Sequence, residues 1–293
     1  MSATDHPAFG RIMPFVFVFL WSTGFVGAKF GLPYAEPFTF LLIRFLIVIV
    51  LMVPVVLMMG ARWPKSWREA GHIAVVGALV HGIYLGGIFA AIDTGLPAGL
   101  AALIAGLQPV LTASVVGALL GERVTGRQWL GLVFGLAGVA LVLLPKIDAG
   151  VGITPGGLAL AVFGLFGISA GTIYQKRFCT GMDLRSGTVI QYVAASAVVA
   201  IGAFALETRQ VDWTPDFVLV MAWLVLVLSI GAIMLLMALI RQGEATRVAS
   251  MFYLVPPTAA MFAWLLFDEQ LGVLGFAGFG IAALGVAMVM GKR

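Results

Sequence analysis

Charged and polar side chains are few in this sequence, and those inside long apolar stretches are the candidates for chemistry. His81 and Tyr84 stand three residues apart, so a helix would place the imidazole and the phenol on one face. Arg44 lies within another apolar stretch, and a guanidinium can bind a carboxylate through two parallel hydrogen bonds. Such groups are costly in hydrocarbon unless they have a partner or face water. We therefore predict that these three residues line a cavity for a small polar, aromatic molecule.

Both positions also allow a structural interpretation. His81 would then be hydrogen-bonded to a neighbouring helix, and the usual pKa of an imidazole leaves a proton-coupling role open as well. Arg44 would pair with Glu36 or Asp93, or extend outward to water. The sequence alone leaves these alternatives open.

Two prolines, Pro109 and Pro256, fall at the centres of apolar stretches. Each removes a backbone donor and frees a carbonyl one turn earlier, and broken helices at this depth are typical of binding sites and hinges. Gln108 and Tyr253 lie close to them in sequence and are predicted to face the same cavity. Simple kinks without a functional role are the alternative.

A third group of candidates lies in the first apolar stretch, where Trp21 is followed by Ser22 and Thr23. An indole ring can stack on an aromatic ligand, and the neighbouring hydroxyls offer hydrogen bonds. Trp21 and Ser22 are therefore predicted to contribute to binding. Packing against neighbouring helices or lipid is the alternative, and it is the interpretation we prefer for Trp223 and Trp264.

Composition indicates which elements position these residues. The 293-residue chain is 61% hydrophobic and only 10% charged, against roughly 25% charged residues in a soluble domain. This excludes a water-soluble enzyme and a disordered chain, and 17 basic residues are too dispersed for nucleic-acid binding. The single cysteine excludes a disulfide framework.

The apolar residues fall into ten stretches of about the length that spans a bilayer as a helix. We therefore predict an all-α membrane protein with ten transmembrane helices and short connections. The predicted helices run near 12–31, 37–59, 71–92, 97–120, 128–145, 156–175, 184–206, 216–240, 246–267 and 272–290.

The basic residues predict the orientation of these helices. If the amino terminus and every second loop are assigned to one side, that side holds 13 Lys and Arg residues and the other holds three. Because Lys and Arg concentrate in cytoplasmic loops, both termini are predicted to be cytoplasmic. The distribution favours a bacterial-type cytoplasmic membrane as the location.

A shift of 147 positions superposes the two halves of the sequence. Between 98–142 and 245–289, 12 of 45 positions are identical without a gap, including Pro109 with Pro256 and Glu122 with Glu269. We predict two five-helix repeats, 1–146 and 147–293. Because five is odd, the second repeat is inverted in the membrane, an arrangement typical of secondary transporters.

The same shift relates two Lys/Glu pairs. Lys29 and Glu269 are predicted to lie near the outer face, and their equivalents Lys176 and Glu122 near the inner face. Salt bridges at the two faces, broken alternately, would form two gates. The alternative is that each glutamate only stabilises the positive N-terminus of the helix that follows it.

The duplicated unit resembles the EamA unit of the drug/metabolite transporter superfamily. The resemblance rests on the stretch 21–25 with Lys29, on Arg44, and on the prolines, glutamates and glycines at equivalent positions of both halves. The stretch 81–84 is similar to the branch that exports aromatic and other amino acids. Ile168 and Gln191 depart from the pattern, because they stand where the first copy has Trp21 and Arg44.

The resemblance and the repeats together imply a secondary transporter that exports small metabolites, most readily amino acids with an aromatic bias, by alternating access. Its expected partners are the small-molecule substrate and the bilayer, with a homodimer through the glycine-rich fifth and tenth stretches as a further option. Neither a metal nor a cofactor is expected, and no metal-ligand spacing or nucleotide-binding loop occurs. An exporter of drugs or other metabolites is the alternative, and a membrane-embedded enzyme or a channel is disfavoured.

The inverted repeat predicts that position 150 faces the outside and position 293 the cytoplasm. Single cysteines at these positions, in a background in which Cys179 is replaced by serine, should react with an impermeant maleimide from opposite sides of the membrane. Labelling of both from the same side would contradict the inversion.

Overall fold

The computed structural model describes residues 7–112, 125–148, 153–232, 235, 254–269 and 272–290. Two predicted site residues, Tyr253 and Glu122, lie outside these ranges. The described residues contain no β-strand and are mainly helical, with one isolated bridge between Ala35 and Val211. The helices are α1 Pro7–Gly31, α2 Pro37–Met58, α3 Trp67–Asp93, α4 Ala98–Thr112, α5 Gly126–Asp148, α6 Pro155–Phe178, α7 Leu184–Leu206, α8 Pro215–Ala232, α9 Val255–Phe267 and α10 Val273–Met290.

Several helices begin at side chains that satisfy otherwise unpaired backbone amides. Ser66 accepts a hydrogen bond from the Glu69 amide ahead of α3, and Thr154 and Thr214 act in the same way ahead of α6 and α8. Prolines occupy the first position of α2, α6 and α8, where a missing amide hydrogen costs nothing. The loops therefore determine where the apolar helices start.

Each of the ten predicted apolar stretches overlaps one of these helices. Five of them, α2, α3, α6, α7 and α8, are long and apolar enough to cross a membrane. The apolar parts of the other five are shorter within the described residues, so their crossing of the membrane stays a prediction.

Helices at equivalent positions of the two halves pack against each other in an antiparallel arrangement. In the pair α5 and α10, a Cβ on Gly138 would lie 2.5 Å from the backbone oxygen of Gly278. A Cβ on Gly285 would lie at the same distance from the oxygen of Gly131. Gly278 is the equivalent of Gly131, and Gly285 is the equivalent of Gly138. Exchanging the two halves therefore turns each of these contacts into the other.

Helices α2 and α7 are also at equivalent positions and pack against each other in an antiparallel arrangement. Phe38, at the start of α2, donates its amide to Glu207 beyond the end of α7, and Arg185 at the start of α7 donates to the carbonyl of Met59. Between them, the ring of Phe45 lies 5.2 Å from that of its own equivalent, Tyr192.

The third such pair is α4 and α9. Gly99 approaches Ala260, and Gly106 approaches Pro256, so residue numbers rise along one helix as they fall along the other. Three pairs of equivalent helices with antiparallel contacts indicate that the two halves are related by an approximate two-fold symmetry.

The close backbone approach of α5 and α10 leads to a stability prediction. Gly138→Ala should destabilise the protein by about 1–3 kcal/mol, because the added methyl group meets backbone atoms of Gly278 and Ala282 that cannot move independently. The matched control is Gly280→Ala on α10, where a Cβ meets nothing within 4 Å and better helix propensity gives about 0.5–1 kcal/mol in the opposite direction. Thermal unfolding in detergent measures both, and equal shifts for the two variants would contradict the packing described.

Candidate functional site

A cavity of about 100 Å³ lies near the centre of the molecule, between helices of both halves. Most of its lining is aromatic or aliphatic, and its polar side chains are Arg44, His81, Tyr84, Tyr192 and Ser229. Apolar walls with a few convergent polar groups are typical of small-molecule sites. We call it the upper cavity; its lining consists of Trp21, Gly24, Phe25, Arg44, Val80, His81, Tyr84, Leu85, Ile88, Phe89, Ile168, Tyr192, Leu228 and Ser229.

Arg44 is the cation of this cavity. Its side chain comes from α2, is only 3% exposed, and donates two hydrogen bonds to the Ser229 hydroxyl on α8, at 2.9 and 3.2 Å. No carboxylate of the described residues forms an ion pair with it. A neutral hydroxyl leaves the positive charge uncompensated, and a buried charge without a counter-charge is costly.

The two acidic partners considered for Arg44 from the sequence are not paired with it. Glu36 accepts hydrogen bonds from the Thr208 hydroxyl and from the backbone amides of Thr208 and Arg209 in the loop after α7. The Thr208 hydroxyl is the main cause that lowers the pKa of the Glu36 carboxyl, which is therefore ionised in its own loop contacts. Asp93 forms neither of the two salt bridges found in the described part of the chain.

His81 is held by aromatic contacts rather than by an acid. Its ring stacks on Tyr192 at 4.7 Å with an angle of 15° between the planes, and Phe45 lies beyond at 6.5 Å. Gln191 lies close enough to hydrogen-bond the imidazole. His81 therefore connects Gln191, which is the equivalent of Arg44 in the second half, to the wall of the upper cavity.

Two of these polar groups lie in π-helical segments, whose turns are wider than those of an α-helix. His81 lies in the π-helical segment Ala78–Ile83 of α3, and Ser229 lies in the π-helical segment Trp223–Ala232 of α8. The two segments occupy equivalent positions in the two halves. π-Helical turns are rare and frequent at functional sites, because they displace side chains from the regular helical positions.

A lower cavity of about 280 Å³ adjoins the upper one. The two share the side chains of Trp21, Phe25, Tyr84 and Ile168, which therefore form the junction between them. The lower cavity is lined by Trp21, Phe25, Tyr84, Ala102, Ala105, Gly106, Gln108, Pro109, Ile168, Thr172, Val255 and Val286. The two cavities together contain five of the seven predicted binding residues: Trp21, Arg44, His81, Tyr84 and Gln108.

Ser22 is the predicted binding residue of the described ranges that lies outside both cavities. Ser22 is fully buried, and its hydroxyl donates to the carbonyls of Val18 and Val255 rather than into either cavity.

Of the predicted hinge residues, Pro109 lines the lower cavity directly after a turn that interrupts α4 at residues 106 and 107. Pro256 packs against Gly106 across the interface of α4 and α9.

Sequence reasoning missed four residues of the lining that matter chemically: Phe25, Ile168, Tyr192 and Ser229. Two of them had a detectable signal. Tyr192 is the equivalent of Phe45 and follows the equivalent of Arg44, and Ile168 is the equivalent of Trp21. Ser229 had none, because a single serine in an apolar helix is common.

The C-terminal ends of α1 and α9 are in contact, and we call the line along which these two helices meet the seam of α1 and α9. Lys29 pairs with Glu269, and the ammonium group also lies 4.5 Å from the centre of the Phe267 ring. Phe30 contacts Phe267 at 4.6 Å between ring centres. Glu269 in addition accepts the backbone amide of Ala98 at 3.0 Å, so its carboxylate caps α4 and not α10, the helix that follows it in the chain.

The equivalent seam between α6 and α4 differs. Thr172 on α6 and Gln108 on α4 both line the lower cavity. Ser22 bonds to α9, whereas its equivalent Ser169 is the one buried side-chain polar group in the described part of the chain without a hydrogen-bond partner. Lys176 is exposed, and its predicted partner Glu122 lies outside the described residues. The lower cavity itself is lined from both seams, by Phe25 and Val255 on one side and by Thr172 and Gln108 on the other. The two seams therefore differ, among the described residues, in the hydrogen bond that Ser22 makes and Ser169 lacks.

The sequence profile of the EamA-like transporter family matches residues 8–144 and 155–291, and so covers both halves. The chain belongs to this family. Its family and the names of its relatives indicate a transporter rather than an enzyme, with a small-molecule substrate and a multi-pass membrane location.

Relatives extend over nearly the whole chain. The transporter YvbV of Bacillus subtilis is 27% identical over 279 residues, covering 94% of this chain and 89% of the relative. A probable amino-acid metabolite efflux pump of Escherichia coli is 26% identical over 302 residues, covering 96% and 95%. One protein of known crystal structure superposes with a TM-score of 0.62 at 17% identity, covering 97% of this chain and 98% of the other, which supports the fold.

Glu269 both pairs with Lys29 and caps α4, and this leads to a prediction about the seam of α1 and α9. Lys29→Met and Glu269→Gln should each increase labelling, from outside, of a cysteine at position 85 in the upper cavity, because either change removes the ion pair. Glutamine can still accept the Ala98 amide, so a capping role alone predicts no effect of Glu269→Gln.

A charge exchange completes this test. Lys29→Glu combined with Glu269→Lys should restore low labelling in part, since the pair is re-formed but lysine cannot cap α4. Cys179→Ser provides the background for all variants. Unchanged labelling in both single variants would show that the pair does not close the seam, and increased labelling that the exchange fails to lower would show that the ion pair is not the cause.

Proposed function

We propose that this protein is a secondary transporter with ten membrane-spanning helices that exports amino acids, with a preference for aromatic ones, across the cytoplasmic membrane. The observation that carries the proposal is the Arg44 guanidinium, buried in an aromatic cavity with a serine hydroxyl as its hydrogen-bond partner among the described residues and no carboxylate of these residues paired with it. A cation in this position favours a substrate that brings its own carboxylate.

The carboxylate of the substrate would bind Arg44 bidentately, as planar guanidinium and carboxylate groups do. The side chain of the substrate would then contact the rings of Trp21, Phe25, Tyr84 and Tyr192. Offset and edge-on contacts between such rings contribute about 0.5–1.5 kcal/mol each beyond the burial of apolar area. A cationic drug is disfavoured as the substrate, because the cavity lining contains a cation and no acid.

Alternating access is supported by the difference between the two equivalent seams. The seam of α1 and α9 is held together by aromatic contacts and an ion pair at one end, and Ser22 bonds across it, whereas the equivalent Ser169 on α6 has no hydrogen-bond partner among the described residues. If the halves exchanged their conformations, the first seam would open and the second would close. The substrate would then reach the opposite side without an open channel at any stage.

The direction of transport is inferred from two further observations. The concentration of basic residues on one side of the predicted topology favours cytoplasmic termini, and with this orientation the lower cavity would lie on the cytoplasmic side of the upper one. The relative in Escherichia coli is named an efflux pump for amino-acid metabolites. Both are consistent with loading from the cytoplasm.

Counterflow in proteoliposomes tests the proposal. Vesicles loaded with one unlabelled amino acid should accumulate the labelled form, and phenylalanine, tyrosine and tryptophan should exchange faster than lysine or glutamate. A drug panel in the same assay examines the alternative class of substrate. Exchange of cationic drugs without exchange of any amino acid would overturn the proposal.

Arg44→Gln tests the carboxylate directly. Removing one partner of a buried charged pair costs about 2–5 kcal/mol, so phenylalanine exchange should fall by about 30-fold or more. Phenethylamine, which has no carboxylate, should be affected far less. The matched control is Arg68→Gln on the exposed start of α3, which should leave both rates unchanged.

A further inference from the structure

Ile168 occupies a special position at the junction of the two cavities. It is one of the four residues that line both, and it is the equivalent of Trp21, which lines both from the opposite half. Positions that are equivalent under the repeat therefore face the same space from two sides. One of them carries a large aromatic ring and the other a much smaller aliphatic side chain.

The two halves also contribute side chains of different size and polarity to the lower cavity. Phe25 and Val255, from α1 and α9, have Thr172 and Gln108 as their equivalents on α6 and α4, and all four line this cavity. The α1 and α9 side is therefore aromatic and aliphatic, and the α6 and α4 side is less bulky and polar. Gln108 donates to the Thr112 hydroxyl, and its amide oxygen is left as an acceptor.

We infer that Ile168 determines the largest side chain that the transporter accepts. This inference rests on the proposed function, in which the substrate carboxylate binds Arg44 in the upper cavity. The side chain of the substrate then extends past Trp21 and Ile168 into the lower cavity. Its volume is restricted by Ile168, and Gln108 and Thr172 offer hydrogen bonds to a polar group at its far end.

Three physical points support this assignment. Trp21 and Ile168 lie at the junction, where added volume narrows both cavities at once. Packed interiors tolerate added volume poorly, because the neighbouring atoms can shift only slightly. The hydrogen-bonding groups of the lower cavity lie beyond the junction, so a long side chain with a polar end, as in tyrosine or tryptophan, fits better than a short one.

Ile168→Trp is the main experiment. Exchange of tryptophan and tyrosine should fall by roughly tenfold or more, since a mismatch of even one methylene in an apolar pocket changes specificity by about tenfold or more. Alanine and serine exchange should stay within about twofold of the unmodified protein. Ile168→Ala should shift the preference in the opposite direction, toward the largest substrates.

Ile201→Trp is the matched control. Ile201 lies on α7, is 72% exposed, and lines neither cavity. The same substitution there should leave the ratio of tryptophan to alanine exchange unchanged. If both tryptophan variants lower all rates equally, the effect is on folding or insertion, and the assignment of Ile168 is overturned.

Exchanging the two residues gives a second, independent readout. Trp21→Ile combined with Ile168→Trp keeps the total volume at the junction constant, so large substrates should regain at least half of the rate lost in Ile168→Trp. This also covers the case in which Ile168→Trp alone folds poorly. No recovery in a well-expressed double variant counts against a volume limit at this position.

The outcomes separate this inference from the proposed function. If the unmodified protein exchanges no amino acid, the proposed function fails. If it exchanges amino acids but neither Ile168 variant changes the ratio of large to small substrates, the proposed function stands and the role of Ile168 is overturned.

Discussion

The packing of three helices, α2, α4 and α5, against their own counterparts α7, α9 and α10 is the constraint on which the rest of this structure depends. In an apolar environment every backbone polar group must be satisfied within the chain, so the segments are helices. Because equivalent helices pair in an antiparallel arrangement, the centre of the molecule is lined by the same sequence positions twice. The contacts of Gly138 with Gly278 and of Gly285 with Gly131 are the closest examples, and glycine is required there because backbones meet.

Equivalent positions have the same location but different chemistry. Arg44 corresponds to Gln191, Trp21 to Ile168 and Phe25 to Thr172, so the central cavities have one aromatic side and one side with smaller, more polar residues. The cation comes from the first half alone and is hydrogen-bonded to Ser229 of the second half. A repeated scaffold therefore gives a site with a defined orientation, as recognition of a molecule with distinct ends requires.

The two seams differ in conformation as well as in sequence. Ser22 bonds to the backbone of α9, while the Ser169 hydroxyl, at the equivalent place in the other half, has no partner among the described residues. A buried polar group without a hydrogen bond is destabilising by about 1–3 kcal/mol. The unsatisfied hydroxyl lies on α6, so among the described residues the seam of α6 and α4 lacks the polar contact that Ser22 makes across the seam of α1 and α9.

Much of the architecture was predictable from the sequence because it depends on local or repeated patterns. Apolar length predicted the ten helical stretches, and the shift of 147 paired Pro109 with Pro256 and Glu122 with Glu269 as equivalent positions of the two halves. The candidate cavity was predictable in part. His81, Tyr84, Arg44, Trp21 and Gln108 were singled out because polar and amphipathic side chains are unusual in apolar helices, and all five line the cavities.

Tertiary structure decided what depends on distances between helices. It placed Ser229 rather than Glu36 or Asp93 beside Arg44, and it brought Glu269 to the start of α4 as well as to Lys29. It also turned Ser22 away from the cavity and placed Ile168 at the junction. The sequence alone determined which residues are polar and which positions are equivalent, since these are properties of the chain. Which side chains meet was decided by the rotation and separation of packed helices, which no pattern along a single helix records.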